Sequence, residues 1–398
     1  MLYEYIRERM LAAPAQTIGD EERRISYREL LNEAETLGKR LKERGEAKYG
    51  ILCRSELNAA RALLACLYAG KTAVPLSFRY GETHTRKITE AVRLSHALTD
   101  GGIEPLGPAF PETEDLSDVA LIMCTSGTTG TPKGAMITEK NLLANLRDIA
   151  GYFHIHHRDH ILIARPLYHC AVLTGEFLIS LVKGLTISFA SGGFNPTMLL
   201  RRIREQNVTV LCGPPTLFYH LSAMALRQRE SPPLRVMAVS GECMTPLAAE
   251  QMRRAFPDAQ IYHVYGLTEA SPRVSRLPPE RFDDYPLSVG FPLPSLRVRI
   301  VNGELQVAGD SVMKGYYRNR AATEKAIADG WLHTGDIAEM DEQGQLFIKC
   351  RRDNLIIRSG MNIYPQEIEN ALKQDGRIAD VLAFGARDPA VGERIHLH

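Results

Sequence analysis

This sequence is poor in the features that mark disulfide-stapled, zinc-bound or membrane-spanning proteins. Its cysteines, at positions 53, 66, 124, 170, 212, 243 and 350, form no Cys-x-x-Cys pair and keep no histidine at a spacing typical of zinc sites. They read as buried free thiols, which implies a reducing compartment, the cytosol. The longest apolar stretch, Ala171 to Ala190, is broken by Glu176 and Lys183, so it does not read as a membrane span. The amino terminus, Met1 to Met10, carries charges where a signal peptide needs an apolar run. Excess charge is missing too: 48 Lys and Arg stand against 47 Asp and Glu, a net charge of +1. That balance gives no reason to expect nucleic acid or an acidic membrane surface as a partner. Internal repeats and low-complexity segments are absent.

What is present is the composition of a soluble globular enzyme, 44% hydrophobic and 24% charged over 398 residues. That length exceeds one ordinary core and implies one large multi-part domain or two. Helical spacing over Tyr27–Leu41, Leu57–Tyr68 and Thr85–Ala91 alternates with strand-like Tyr49–Cys53 and Thr72–Leu76. A Pro/Gly-rich connection, Gly101 to Glu112, leads into the apolar strand Val119–Met123. A second alternating stretch carries strands at Ile161–Ala164, Val208–Cys212, Val236–Val239 and Ile261–Val264. Such alternation argues for parallel sheets covered on both faces. From Arg297 the texture changes. Arg297–Val301, Glu304–Val307 and Gln345–Lys349 are short runs separated by Asn-Gly or Gln-Gly turns, which implies a small antiparallel sheet or barrel. A last unit holds strand Leu355–Arg358, a helix opening at Pro365, and strand Val381–Phe384.

The most informative segment runs from Cys124 to Gly134, Cys-Thr-Ser-Gly-Thr-Thr-Gly-Thr-Pro-Lys-Gly, between an apolar strand and the helical run Asn141–Ile149. Gly127, Gly130 and Gly134 let backbone approach a ligand, while Thr125, Ser126, Thr128, Thr129 and Thr131 supply hydroxyl donors and Lys133 a cation. Together they can wrap a polyphosphate. A Walker A loop needs Gly-Lys-Ser/Thr at its end, whereas here Pro132 precedes Lys133 and Gly134 follows it. A Gly/Thr-rich loop alone is often only a flexible surface loop. The hydroxyls, the Pro-Lys-Gly ending and the buried strand leading in argue against that.

Thr125 to Gly134 resembles the nucleotide-binding loop of the adenylate-forming superfamily. Its members include acyl-CoA synthetases, aryl-acid ligases, nonribosomal peptide synthetase adenylation domains and firefly luciferase. Further elements follow in the family's order. Ile25–Leu30 and Ala69–Leu76 look like its two early structural motifs, and Tyr265-Gly-Leu-Thr-Glu269 matches its Tyr-Gly-x-Thr-Glu element. Trp331–Asp336 matches the element ending in Thr-Gly-Asp; Arg351-Arg-Asp353, Gly360 and Pro365–Glu369 match the hinge region. Singly these are weak; in order they are strong. The resemblance implies an α/β fold with a large amino-terminal domain over residues 1–350. Two layered α/β subdomains (1–160 and 161–270) and a small β-barrel (271–350) would compose it, with a hinge and an incomplete α+β carboxy-terminal domain over 351–398.

The implied chemistry is activation of a carboxylic acid by ATP: acyl-AMP forms, pyrophosphate leaves, and the acyl group passes to a thiol. Such a site must neutralise phosphate charge and hold the attacking oxygen in line. By resemblance, Thr125, Ser126, Gly127, Thr128, Thr129 and Gly130 cradle the phosphates with Lys133, and Thr268 donates to the α-phosphate. Glu269 would hold Mg²⁺, a hard cation that takes oxygen ligands. Tyr265, Ile348 and Arg351 would lie at the nucleotide, with Gly241, Glu242 and Cys243 as an adenine-side wall. Asp336 would accept both ribose hydroxyls, a natural task for an ionised carboxylate. Alone, Tyr265 reads as a core aromatic, Asp336 as a turn cap and Arg351 as a surface ion-pair member; only the ordered set overrides this. Asp353 aligns with the residue about which the family's small domain rotates, a hinge candidate rather than a catalytic group.

Pro166-Leu-Tyr-His169 resembles the Pro-Leu-Phe-His segment of acyl- and aryl-CoA ligases, which puts His169 near the carboxylate. Amino-acid-activating relatives place an Asp just after the aromatic, so His169 in that place favours a plain carboxylic acid. Candidate pocket residues are Thr174, Gly175, Gly213, Pro214, Leu217, Gly266 and Leu267. The acceptor thiol is that of coenzyme A, or alternatively the phosphopantetheine arm of an acyl or peptidyl carrier protein; a homodimer is left open. The sequence also departs from the family. The residues after Asp353 are too few for the family's carboxy-terminal domain, and the catalytic lysine of its Gly-Lys segment has no counterpart. Lys373, the one lysine after Glu369, sits in an expected helix. A truncated chain is the favoured explanation, a naturally shortened one the other. A third reading is therefore a nucleotide-binding remnant without turnover.

Overall fold

The computed structural model describes the chain apart from residues 80, 109, 126–131, 191–194, 230–231, 359, 374, 376, 379–380 and 389–390. Two sheets dominate it. The first has seven strands, in the order Gly315–Tyr316, Lys133–Thr138, Val119–Thr125, Thr72–Pro75, Lys48–Ile51, His96–Thr99 and Gly102–Pro105. Its middle is parallel, with Val119–Thr125, Thr72–Pro75, Lys48–Ile51 and His96–Thr99 running the same way, and its edges are antiparallel. The second has nine strands: Phe291–Pro292, Arg273–Leu277, Gln260–Gly266, Val236–Val239, Val210–Gly213, His160–Ile163, Thr186–Phe189, Thr17–Gly19 and Arg24–Ser26. Six of these, from Gln260–Gly266 to Thr17–Gly19, are parallel. One buried apolar cluster, including Leu63, Leu121, Leu146, Phe177 and Ile187, joins the two sheets through the helices between them.

Three long helices of the first half begin where the sequence offers caps. Ser26 and Glu29 form a reciprocal capping box that starts Tyr27–Lys42, whose Tyr27, Leu30, Leu31, Ala34 and Leu41 are buried. Ser55 caps Glu56–Ala69, and Gly70 ends it in the left-handed conformation at φ 65°. Thr138 and Asn141 cap Glu139–Tyr152, and the Asn141 amide donates further to the carbonyls of Asp310 and Val312. Helix Glu139–Tyr152 is therefore anchored to a distant part of the chain.

Three features differ from the sequence-based expectation. A strand, Lys133–Thr138, separates the phosphate loop from the helix after it, and pairs antiparallel with Val119–Thr125, with Thr125 opposite Lys133. The division near residue 160 is not contiguous: Thr17–Gly19 pairs in parallel with Thr186–Phe189, because Ile18 and Ile25 complete the core of the second sheet. Arg273–Leu277 and Phe291–Pro292 also join that sheet, and Gly315–Tyr316 crosses to the first. The remainder of 271–350, extended to Arg351, is a five-stranded antiparallel sheet. It comprises Leu296–Val301, Glu304–Gly309, Ile327–Ala328, Trp331–Met340 and Leu346–Arg351. Beyond it, Ile356–Arg358, Met361–Ile363, Ala383–Asp388 and Gly392–Leu397 form a four-stranded sheet beside helix Pro365–Leu372.

The apolar stretch from Ala171 folds as a helical run with a π turn at Leu173–Leu178, then as strand Thr186–Phe189. Its Glu176 is buried and pairs with Arg165 at 2.8 Å. Among the described residues no helix is long and apolar enough to cross a membrane. The cysteines at 53, 66, 170 and 212 are buried and free, as expected; those at 124, 243 and 350 are half-buried and also free.

Candidate active site

Parallel strands leave unpaired backbone groups at their carboxyl ends, the usual place for a ligand in an α/β fold. At the carboxyl ends of Val236–Val239 and Gln260–Gly266 lies a cleft of about 410 Å³. One wall is Gly241–Met244 with Tyr265, Gly266 and Leu267; the facing wall is Asp336 with Phe347–Arg351. Gln366, Glu367 and Asn370 of helix Pro365–Leu372 close one side.

The polar centre of the cleft is built by three side chains from three strands. The Tyr265 hydroxyl donates to Asp336 Oδ2 at 2.5 Å, and Arg351 Nη1 lies 3.2 Å from Asp336 Oδ1. Arg351 Nη1 also donates to the Thr334 carbonyl at 2.7 Å. Asp336 follows Gly335, whose φ of +72° is a left-handed turn that disfavours a side chain. Burial raises the Asp336 carboxyl above its ordinary value, against the Arg351 charge and the Tyr265 bond that favour ionisation. Burial and the neighbouring carboxylate push the Tyr265 phenol far up, so it is a donor throughout the working pH range.

A second group lies at the turn just past Leu267. Thr268 and Glu269 open the short 3-10 segment Thr268–Ala270, reached through Gly266, where a Cβ would come within 2.0 Å of the Pro272 carbonyl oxygen. Only glycine fits there. The Tyr316 hydroxyl donates to Glu269 Oε1 at 2.8 Å, and the Lys133 ammonium sits 5.4 Å from the centre of the Tyr316 ring. Backbone bonds fix this arrangement: Met313 N donates to the Glu269 carbonyl at 2.8 Å and Tyr317 N to the Gly134 carbonyl at 2.7 Å. Residues 313–317 thus stitch the phosphate-loop hairpin to the Glu269 turn. Tyr316 was not singled out from sequence; its one cue is the Gly-Tyr-Tyr run after Lys314. Glu269 fits a magnesium ion by donor chemistry. It is a hard carboxylate, and among the described residues only its Oε1 is recorded in a hydrogen bond.

The positions of the other expected residues vary. Thr125 ends its strand with its hydroxyl 3.5 Å from the Lys133 carbonyl, whereas Ser126, Gly127, Thr128, Thr129 and Gly130 lie outside the described residues. Gly241, Glu242, Cys243, Tyr265, Gly266, Leu267, Asp336, Ile348 and Arg351 all line the cleft. Glu242 also accepts from the Thr216 backbone at 3.3 Å and its hydroxyl at 3.2 Å. His169 precedes the helical run, and its ring centre lies 4.3 Å from that of Tyr168, the two planes tilted by 40°. Its ring is open to solvent, yet the protein packed around it and the Arg165 charge push it down to about 4. The next residue, Cys170, is near enough to Glu269 for the carboxylate to raise its thiol further after burial. Thr174, Gly175, Gly213, Pro214 and Leu217 do not line the described cleft. Thr174 is fully buried, the Gly175 carbonyl accepts from the buried Arg273 at 2.8 Å, and Leu217 packs into the second core over Gly213. Asp353 is exposed in the turn Arg352–Asn354, directly after the strand that carries Arg351.

A nucleotide-sized cleft at strand carboxyl ends, beside a phosphate-loop hairpin and a carboxylate suited to magnesium, defines a nucleotide-dependent α/β enzyme. The chain belongs to the AMP-binding enzyme family, whose model matches residues 6–317. A feruloyl-CoA synthase of Amycolatopsis is 32% identical, covering 83% of this chain and 74% of that protein. A 2-succinylbenzoate–CoA ligase of Bacillus velezensis is 31% identical, covering 94% and 83%. A long-chain-fatty-acid–CoA ligase of Salmonella typhimurium is 35% identical over 70% of this chain, but only 52% of its own length is matched. Among solved structures, o-succinylbenzoate CoA synthetase of Bacillus subtilis with its acyl-adenylate OSB-AMP superposes with a TM-score of 0.86 at 27% identity. That match covers 99% of this chain and 87% of that one; the same enzyme with ATP and magnesium ion gives a TM-score of 0.85. The chain is an AMP-forming acid–thiol ligase of that family.

Proposed function

We propose that this chain activates a plain carboxylic acid at the cleft between Tyr265 and Asp336 and transfers the acyl group to coenzyme A. The acid's carboxylate oxygen attacks the α-phosphorus of ATP, the bond to the β-phosphate oxygen breaks, and pyrophosphate leaves. The thiolate of coenzyme A then attacks the acyl carbon, and AMP leaves. The observation that carries the assignment of residues is the convergence of Tyr265, Asp336 and Arg351 in one cleft with Glu269 and Lys133 joined through Tyr316.

In this reading Asp336 receives the ribose hydroxyls, and Gly241, Glu242 and Cys243 flank the base. Thr268 and Lys133 face the phosphates. Glu269 holds magnesium, which neutralises phosphate charge when bound. His169, neutral at physiological pH, borders the carboxylate side of the site. Asp353 is the pivot. The working compartment is the cytosol, consistent with the free cysteines.

Pyrophosphate exchange with aryl, branched and straight-chain acids, followed by mass detection of the CoA thioester, tests this. Exchange with at least one acid and none with amino acids is the expected result. Acylation of a carrier protein but not of coenzyme A would replace the acceptor. ATP binding without exchange for any acid would leave the nucleotide-binding remnant.

A further inference from the structure

Glu304 is a carboxylate with little solvent access, 3% exposed, on the antiparallel sheet behind the nucleotide cleft. A buried carboxylate persists only where donors satisfy its oxygens. Glu304 has three. Its Oε1 accepts from Gly335 N at 3.0 Å, and its Oε2 lies 3.0 Å from His333 Nδ1 and 2.7 Å from Arg352 Nη2. Gly335 is the residue before Asp336, and Arg352 the residue before Asp353. The two neighbouring arginines on the outgoing chain thus pair with different carboxylates: Arg351 with Asp336 in the cleft, Arg352 with Glu304 behind it.

The structure assigns to Glu304 a positioning role: one carboxylate ties the Gly335–Asp336 turn, which faces the nucleotide, to Arg352 at the root of the hinge. The inference rests on the functional reading above, in which Asp336 meets the ribose and Asp353 is the pivot. Its physical content is a fixed anchor. With Arg351 and Arg352 both held, the chain is pinned up to residue 352, and rotation of the following unit is confined to residue 353 and beyond. Asp336 keeps its place on the nucleotide while that unit turns. Without Glu304 the Asp336 turn loses its rear support and the torsion spreads back into Arg351.

Two single variants and their double test this on the full chain. Glu304→Gln keeps an oxygen for Gly335 N and removes the charge that holds Arg352. Arg352→Gln cuts the same link from a side chain that is about half exposed, so its fold is less at risk. Calorimetric titration with ATP should show Kd raised about 5- to 10-fold for Glu304→Gln and roughly 2- to 3-fold for Arg352→Gln. Residues joined in one network are non-additive, so the double variant should bind no more weakly than Glu304→Gln alone. Hydrogen exchange over Arg351–Leu355 should quicken about 10-fold in each single variant while strand Gln260–Gly266 is unchanged. Unchanged ATP affinity in Glu304→Gln, or additive losses in the double variant, would overturn the role. If Glu304→Gln does not fold, Arg352→Gln decides alone, and unaltered exchange over Arg351–Leu355 overturns it. Neither measurement uses an acid substrate. Failure of every acid in pyrophosphate exchange would therefore strike acid activation alone, and the ATP titration would still decide the role of Glu304.

Discussion

The hydroxyl of Tyr265 reaches 2.5 Å to Asp336 across 71 residues of sequence, joining the end of a parallel strand to an antiparallel one. The bond presents Asp336 to the cleft with one oxygen on a phenol and the other on Arg351. A charge-assisted hydrogen bond contributes about 1.5–3 kcal/mol, so Asp336→Ala should weaken ATP binding by roughly 10- to 100-fold. Tyr265→Phe keeps the ring in the cleft wall and loses only the tether to Asp336, so its loss should be about 5-fold. Isothermal calorimetry with ATP reads both. Unchanged affinity in Asp336→Ala would refute the ribose assignment.

Glu269 is engaged by Tyr316 on one oxygen, and the two substitutions separate charge from placement. Glu269→Gln should lower pyrophosphate exchange by about 100-fold or more, because in the proposed assignment a negative charge is lost where magnesium and phosphate would meet. Tyr316→Phe keeps the ring beside Lys133 and frees the carboxylate; a smaller loss of about 3- to 10-fold is expected, with more magnesium needed for half-maximal rate. A magnesium titration of the exchange rate checks this. Identical curves for wild type and Tyr316→Phe would remove Tyr316 from the site.

Glu56 accepts from the backbone N–H of Leu167 at 3.0 Å, which braces the segment leading to His169. Burial pushes its carboxyl up to about 7 from the usual 4.5, against that bond and the Arg79 charge. The folded state therefore holds the proton more tightly than the unfolded one. Its stabilising effect is full below about pH 4.5 and disappears as pH rises through 7. Glu56→Gln should raise Tm relative to wild type at pH 8 and change it little at pH 5. Equal differences at both pH values would contradict the assignment.

Space decides the fourth expectation. A methyl group at residue 266 would sit 2.0 Å from the Pro272 carbonyl oxygen, part of the backbone that cannot swing aside. Gly266→Ala should destabilise the chain by roughly 1–3 kcal/mol and displace the Glu269 turn. Thermal unfolding reads the first effect and pyrophosphate exchange the second. A variant with wild-type Tm and rate would show that this turn is more pliant than its packing implies.

Elements with local signals were legible in the sequence. Tyr27–Lys42 announces itself by its capping box and apolar spacing, and Val236–Val239 by a short apolar run. Strand Lys133–Thr138 was missed because its six residues follow a loop whose chemistry suggests a direct step into the helix. Thr17–Gly19 and Arg24–Ser26 have three residues each, and nothing local tells which sheet they complete. The site divides in the same way. Asp336, Tyr265 and Arg351 sit in recognisable runs and meet in the cleft. Tyr316 reaches Glu269 across 47 residues, a meeting set by sheet order and not by spacing. Thr174 and Leu217, candidate pocket residues from the sequence, do not line the described cleft. A π turn and a helix face carry them inward, and neither is visible in a short apolar run.

Strand Gly315–Tyr316 pairs with Lys133–Thr138, nearly two hundred residues earlier in the chain, and carries the tyrosine that meets Glu269. During synthesis the hairpin around the phosphate loop emerges long before that partner. Until residue 317 has left the ribosome, the backbone of Lys133–Thr138 is an unpaired edge, open to any strand that finds it. A nascent chain thus leaves that edge open to mispairing until Gly315–Tyr316 arrives to cover Ala135 and Met136.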